Sequence, residues 1–384
     1  METPVEFDEI RPYRDEELPS VFEELIADPD FRKAACAAVP DMPFDVLAER
    51  IRQCKTTKEF QRKLCYGILW NLVEATTKGL ALDYTTLESN PPAACTYISN
   101  HRDIILDSAF LSILLADRGL DTVEIAIGDN LLIYPWIQKF VRINKSFIVQ
   151  RSPGMRQMLE SSARLSRYIH YAIGEKKQSI WIAQREGRAK DADDRTQDSL
   201  LKMLAMGGEG TLINRLRALH IVPLSISYEY DPCDFLKAKE FQLKRDIEGF
   251  KKSPADDLEN MATGLTGHKG KVHFCTGQPL NDIMANWSES LPKQELFNQV
   301  AHAIDREIFL HYHLYPNNYI AADLLSGNTD FKGHYTSDEA CHFEDYLEKQ
   351  LAKISIPGKD EGFLRRKMLQ MYANPLKNHL SVCG

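Results

Sequence analysis

The hydrophobic pattern of the chain changes near residue 92. Before that point, apolar residues recur at helical spacing over Asp45–Leu82, and Glu and Lys occupy the opposite face. This pattern predicts that residues 1–80 are helical.

Beyond residue 92, short β-rich runs alternate with helical stretches. The predicted strands are Cys95–Ser99, Thr122–Ile127, Ser146–Val149, Ser179–Ala183, His220–Tyr228 and Lys271–Cys275. The predicted helices between them lie at about 105–118, 153–176 and 197–206. Strands that alternate with helices indicate an α/β fold with a mixed, largely parallel sheet flanked by helices, and active sites of such sheets gather where the strands end.

The chain becomes helical again after Leu280 and stays so to its end. We therefore predict three regions: a helical N-terminal region at 1–85, an α/β domain at 86–285 and a helical C-terminal region at 286–384. Pro223 falls within the apolar run of one predicted strand, which favours an edge or bulge position for it.

Composition narrows the functional classes. The formal net charge of −8 argues against a nucleic-acid partner. The eight cysteines form no CxxC pair, which favours thiols in a reducing cytoplasm over disulfides or a metal site. No apolar run approaches the ~20 residues of a membrane span. Any contact with a membrane is therefore expected at its surface.

A histidine lies between a predicted strand and a predicted helix. His101 follows the strand that ends at Ser99, and Asp103 and Asp107 come shortly after it. A carboxylate that holds an imidazole fixes its tautomer and stabilises the imidazolium, so a general base is expected here. Either Asp103 or Asp107 could hold the ring. An incidental surface histidine with two capping acids is the alternative.

Two further strand ends carry cations. Arg151 comes two residues after the run Ser146–Val149, and an arginine at the end of a strand can hold a phosphate through two hydrogen bonds. Glu186, Gly187 and Arg188 follow the strand Ser179–Ala183, where glycine permits a tight turn with exposed N–H groups. Both places could bind an anion. The alternatives are a solvated arginine and a charged loop.

The order of these segments resembles the four sequence blocks of the glycerolipid acyltransferase superfamily, in its glycerol-3-phosphate and 1-acylglycerol-3-phosphate acyltransferase (PlsC-like) branch. In the first block, Asn100, His101 and Arg102 match, and Asp107 follows with one residue more than the usual four after the histidine. Residues 222–229 are close to the fourth block. The chain is thus similar to a divergent, bacterial-type member.

The second and third blocks match in part. Phe147 and Arg151 agree with the second block. Glu186 and Gly187 agree with the third, and Arg188 follows with one residue missing. The resemblance covers about half of the chain.

The resemblance implies acyl transfer from acyl-CoA or acyl-ACP (acyl carrier protein) to a hydroxyl of glycerol 3-phosphate or a lysophospholipid, without a metal or other cofactor. Another hydroxyl-bearing lipid acceptor, or a non-catalytic lipid- or carrier-binding module on the same fold, are the alternatives. The expected partners are the thioester carrier and a membrane lipid surface. The expected location is the cytoplasm, either free or bound peripherally to the inner face of the cytoplasmic membrane. The implied roles are catalysis by His101 and Asp107, substrate binding by Arg151, Glu186, Gly187 and Arg188, and support by Asn100, Arg102 and Asp103.

Overall fold

A seven-stranded sheet organises the parts of the chain that the computed structural model describes, which are residues 3–89, 91–151, 154–288 and 291–383. Its order is β1-β7-β6-β2-β5-β3-β4, and every neighbouring pair is parallel except β6 with β7. The strands are β1 Thr77–Asp83, β2 Thr96–Ser99, β3 Glu124–Gly128, β4 Ser146–Val149, β5 Ile180–Ala183, β6 Ile221–Tyr228 and β7 Gly270–Thr276. The mixed, largely parallel sheet confirms the predicted fold class.

Helices cover the sheet and fill both ends of the chain. Those before the sheet or within it are α1 Leu18–Ile26, α2 Pro29–Ala38, α3 Phe44–Arg52, α4 Thr57–Phe60, α5 Tyr66–Thr76, α6 Thr85–Glu88, α7 Leu106–Asp117, α8 Pro135–Ile143, α9 Met155–Gly174, α10 Asp198–Leu204, α11 Leu212–Arg217, α12 Asp234–Asp246 and α13 Pro254–Thr266. Those after it are α14 Leu280–Ile283, α15 Lys293–Leu310, α16 Pro316–Ser326, α17 Ser337–Ala352 and α18 Glu361–Leu380. None of these helices is long and apolar enough to cross a membrane within the described ranges.

The central strands are buried on both faces because successive side chains point to opposite sides of the sheet. On β2, Tyr97 packs into the apolar cluster that holds α7, whereas Ile98 packs into the cluster that holds α9 and α15. On β5, Trp181 joins the α7 side and Ile180 the α9 side. The loops at the carboxyl ends of these strands therefore stand on a rigid core.

The helical ends of the chain dock on opposite parts of this core. The N-terminal helices share an apolar cluster with α8, to which Phe60 and Phe140 contribute with ring centroids 6.2 Å apart. The C-terminal helices α16–α18 share a cluster with Ala238 of α12. Each end thus rests on a helix that belongs to the sheet region.

Two predictions of local structure are wrong. The helical pattern over Asp45–Leu82 ends at Thr76, because the next residues form β1 beside β7. Pro223 lies in β6, an interior strand. The strand tolerates it because the β7 pairing begins only at Leu224. The helix predicted from residue 153 is α9; residue 153 itself lies outside the described residues.

Candidate active site

The predicted site residues follow the carboxyl ends of three parallel strands. The loop after β2 carries His101, the segment after β4 carries Arg151, and the loop after β5 carries Glu186, Gly187 and Arg188. Because these strands are parallel, the three segments emerge at one edge of the sheet. All five residues line the same cavity.

His101 and Asp107 are in contact. The Nδ1 atom of His101 lies 2.8 Å from Oδ2 of Asp107, and the same oxygen accepts hydrogen bonds from the backbone N–H groups of Arg102 at 2.6 Å and Asp103 at 3.1 Å. The chain therefore winds around one fully buried carboxylate. The extra residue between His101 and Asp107 is absorbed in this turn, and the pair still forms.

Asp103 has different hydrogen-bond partners from Asp107. Its Oδ1 accepts hydrogen bonds from the N–H groups of Ile105 at 2.9 Å and Leu106 at 2.8 Å, so it caps the start of α7. Burial raises the pKa of Asp103, and the charge of Asp107 raises it further. Of the two candidate partners for the imidazole, the structure brings Asp107 to it.

Neighbouring strands hold the histidine loop on both sides. The Asn100 side chain donates to the carbonyl of Ile226 and accepts from its N–H, both at 2.8 Å, which continues the β2–β6 pairing. On the other side, the Trp181 ring lies 5.4 Å from the His101 ring in an edge-to-face arrangement. The side chain of His101 is only 13% exposed, so it is not an incidental surface histidine.

Arg102 points away from the cavity. Its guanidinium binds both oxygens of Asp194, at 3.1 and 2.6 Å, and the Tyr312 hydroxyl donates to the same carboxylate at 2.5 Å. Burial is the largest single influence and would lower the pKa of Arg102, but the charge and hydrogen bond of Asp194 act together with Tyr312 and Asp231, and the pKa is raised on balance. The backbone carbonyl of Arg102 accepts a hydrogen bond from Lys237 at 3.1 Å. Arg102 thus anchors the loop through buried partners.

Arg151 and Glu186 form an ion pair at the cavity. Their charged groups are 3.1 Å apart, with side chains 44% and 68% exposed. The Arg151 guanidinium also lies against Gly128, where a Cβ would come within 3.5 Å of it. Gly187 follows with φ of 69°, a left-handed conformation that favours glycine. The predicted anion-binding arginine therefore has a carboxylate partner in this structure.

Only part of the Arg188 guanidinium is hydrogen-bonded within the described structure. Nη2 donates to Asn260 at 2.9 Å, whereas the buried Nη1 has no hydrogen-bond partner among the described residues. Arg185 lines the same cavity, and its buried Nε is likewise unpaired in the described structure. Lys190 instead contacts Glu240, and burial lowers the pKa of Lys190 to about 8. The unpaired guanidinium nitrogens suit an anionic group.

The cavity has a volume of about 2470 Å³. Apolar side chains from α5, α7 and α8 make up much of its wall, among them Leu69, Ile113 and Phe140. Drug-sized ligands occupy pockets of about 300–1,000 Å³, so this space is large enough for a long apolar chain in addition to a polar group.

Sequence reasoning missed several residues that support the loop. Trp181 belongs to a predicted strand, and no sequence motif marks Asp194, Lys237 or Tyr312 as supports of the loop. Asp194 lies 92 positions from Arg102, and no local motif marks a pair at that separation.

Residues 82–227 match the model of the family described as Acyltransferase. This segment contains the His101–Asp107 pair and the five predicted site residues that line the cavity. The match over these residues supports the resemblance to acyltransferases and an acyltransferase activity.

No curated protein matches the chain. Among solved structures, it is similar to the crystal structure of the 1-acyl-sn-glycerophosphate (LPA) acyltransferase, PlsC, from Thermotoga maritima. The identity is 12%, the alignment covers 77% of this chain and 94% of that chain, and the TM-score is 0.39. This likeness is too distant to transfer residue roles or substrates.

Proposed function

We propose that the protein transfers a fatty acyl group from acyl-CoA or acyl-ACP to a hydroxyl of glycerol 3-phosphate or a lysophospholipid, with His101 as general base. The contact between His101 and Asp107 at the wall of a large apolar cavity is the observation that carries this proposal.

The geometry supports one direction of proton transfer. An ionised carboxylate only accepts hydrogen bonds, so the 2.8 Å contact leaves the proton of the neutral ring on Nδ1 and the lone pair on Nε2. Nε2 takes the proton of the acceptor hydroxyl while its oxygen attacks the thioester carbonyl. The tetrahedral intermediate collapses, the carbon–sulfur bond breaks, and the departing sulfur takes the proton from the imidazolium. Asp107 stabilises the positive ring in between.

Groups beside the histidine are suited to the charges of the two substrates. The N–H of Glu186 already donates to Gln197 at 2.8 Å, so the N–H groups that follow it in the Gly187 turn would stabilise the developing oxyanion. Arg188, with its unpaired Nη1, would hold the phosphate of the acceptor. Arg151 would contribute after exchanging Glu186 for the phosphate. An acceptor without phosphate is the second candidate, and the existing Arg151–Glu186 pair favours it.

The entry of an apolar chain would take place at a lipid surface. Met158 lines the cavity and is 49% exposed, and Met155 and Leu159 beside it are 79% and 54% exposed. Exposed apolar side chains of this kind suit contact with membrane lipid. A cytoplasmic protein bound peripherally to the membrane would agree with this arrangement.

The test is a lipid extraction after the pure protein has been incubated with labelled acyl thioester and a set of acceptors. Acyl-CoA and acyl-ACP form the donor arms. Glycerol 3-phosphate, a lysophospholipid and an alcohol lipid without phosphate form the acceptor arms. We expect a labelled ester product with a phosphorylated acceptor, and added lipid vesicles should stimulate its formation.

His101→Ala should abolish this product without unfolding the protein. His342→Ala is the matched control, because His342 is an exposed histidine on α17. A well-folded His101→Ala protein that retains more than a few per cent of activity would exclude His101 as the base. A product formed only with the phosphate-free lipid would select the second candidate function.

A further inference from the structure

The Asp107 carboxylate is satisfied on only one side. Its Oδ2 has three hydrogen-bond donors, namely His101 Nδ1 and two backbone N–H groups, whereas its Oδ1 is enclosed and has none within the described structure. Buried polar atoms without partners are uncommon in native proteins. A donor is therefore expected on the Oδ1 side.

A second enclosed polar atom belongs to Tyr228, the last residue of β6. Side chains alternate along a strand, so Tyr228 shares its face with Leu224 and Ile226, and all three pack into the apolar cluster that holds α7. Tyr228 is 8% exposed, and its hydroxyl has no hydrogen-bond partner in the described part of the chain. Asp107 lies in the first turn of α7. The two unpaired atoms therefore belong to elements that pack together.

The surroundings of the hydroxyl keep it protonated. Burial raises the pKa of Tyr228 well above its ordinary value, and the charge of Asp107 is the next largest cause. Asp103 and Asp231 also act on the hydroxyl in the same direction. Lys237 forms a salt bridge with Asp231, and the charges of Arg188 and Lys269 interact with that of Asp103. The negative charges of Asp231 and Asp103 are therefore balanced by nearby cations. Among carboxylates, a neutral phenol can only be a donor.

We propose that Tyr228 is a positioning residue whose hydroxyl donates to Oδ1 of Asp107. The bond fixes the plane of the carboxylate from the side opposite His101 and withdraws part of its negative charge from the imidazole. The inference rests on the proposed function, because it acts through the His101–Asp107 pair.

The test compares Tyr228→Phe with Tyr84→Phe. Tyr84 is the matched control because it is also 8% exposed in the same apolar cluster, and its hydroxyl bonds to that of Tyr97 at 3.0 Å. For Tyr228→Phe we expect kcat to fall by about tenfold, the size of one lost bond to a charged group, with both KM values close to wild type. The acid limb of the pH–rate profile should move to higher pH, because the carboxylate then holds the imidazolium more strongly.

Melting temperatures separate a structural role from a positioning role. A Tyr228→Phe protein with a lower melting temperature but an unchanged kcat and acid limb would overturn the inference. So would an equal loss of kcat in Tyr84→Phe. The second measurement places Tyr228→Phe in an Asp107→Asn background, where a residue that acts through Asp107 should cause no further loss of kcat. A full additional loss there would also overturn it.

The same series distinguishes the two proposals. Wild-type activity of Asp107→Asn would refute the His101–Asp107 mechanism itself. An impaired Asp107→Asn together with a fully active Tyr228→Phe would refute only the role of Tyr228.

Discussion

Replacing Asp107 with asparagine removes one negative charge from the point where the histidine loop folds back on α7. The amide oxygen can still accept the backbone hydrogen bonds from Arg102 and Asp103, so we expect the loop to keep its fold. The amide oxygen can also still accept from His101 Nδ1–H, but the bond is no longer charge-assisted, and the stabilisation of the imidazolium by a carboxylate is lost. In a serine-protease triad the same kind of change lowers turnover by about 10⁴-fold, and we take this factor as the upper limit for the loss of kcat in Asp107→Asn.

Asp103→Asn is the internal control for this prediction. Asp103 caps α7 through the N–H groups of Ile105 and Leu106, and asparagine is about as good a helix cap as aspartate. Its carboxylate is buried, and burial raises its pKa, so losing the charge also removes a desolvation cost. We therefore expect kcat of Asp103→Asn to stay close to wild type.

The assay is steady-state acyl transfer measured with saturating thioester and acceptor, together with a thermal melt of each variant. A loss of several orders of magnitude in Asp107→Asn, with a near-normal melting temperature, is the expected result. If Asp107→Asn were fully active and Asp103→Asn inactive, the assignment of the supporting acid would have to be reversed.

Three further predictions concern the acceptor, the packing of the loop and pH. Arg188→Ala and Arg151→Ala should raise KM for a phosphorylated acceptor more than KM for the thioester, because an arginine that holds an anion acts mainly in binding. Gly264→Ala should lower the free energy of unfolding by about 1–3 kcal/mol and reduce kcat, because a Cβ there would lie 2.0 Å from Oδ2 of Asp103. Burial raises the pKa of Asp234 to about 7. The folded state thus favours the protonated carboxyl group. The pKa of an aspartate in an unfolded chain is about 4, so the contribution of Asp234 to the free energy of unfolding should fall as the pH rises from about 4 to about 7.

Each of these has its own check. For the arginines, an equal rise of both KM values together with a lower melting temperature would indicate a structural role. Gly67→Ala is the matched control for Gly264→Ala, since nothing lies within 4 Å of a Cβ at Gly67. Urea melts of wild type and Asp234→Asn between pH 4 and 8 isolate the Asp234 contribution. A constant difference between them over that range would contradict the assigned titration.

The sequence alone could predict most of the sheet because its strands are short apolar runs bounded by polar loops. It could not predict β1, where Lys78, Gly79 and the neighbouring residues continue an apparent helical pattern. That strand forms because β7, nearly two hundred residues further along, offers a parallel partner. Long-range pairing of this kind overrides local propensity.

The site was predictable where its residues are close in sequence. His101 and Asp107 are six positions apart, and the turn between them is closed by local hydrogen bonds. The position of Arg102 was not predictable, because whether an arginine faces the cavity or the interior depends on Asp194 and Tyr312, which come from distant segments. The sequence also could not show that Arg151 and Glu186 form a pair.

Some residues that support the histidine loop lie far along the chain from it, and this affects the order in which the site can form during synthesis. The Asp234 carboxylate accepts hydrogen bonds from Tyr346, Gln350 and Tyr372, which belong to α17 and α18. Asp234 shares α12 with Lys237, and Lys237 donates to the backbone carbonyl of Arg102. Chains leave the ribosome N-terminus first, so α17 and α18 emerge long after the loop itself. During that interval the buried Asp234 carboxylate lacks these three hydrogen-bond donors. A nascent chain therefore carries its catalytic side chains before the last helices that support their loop have been made.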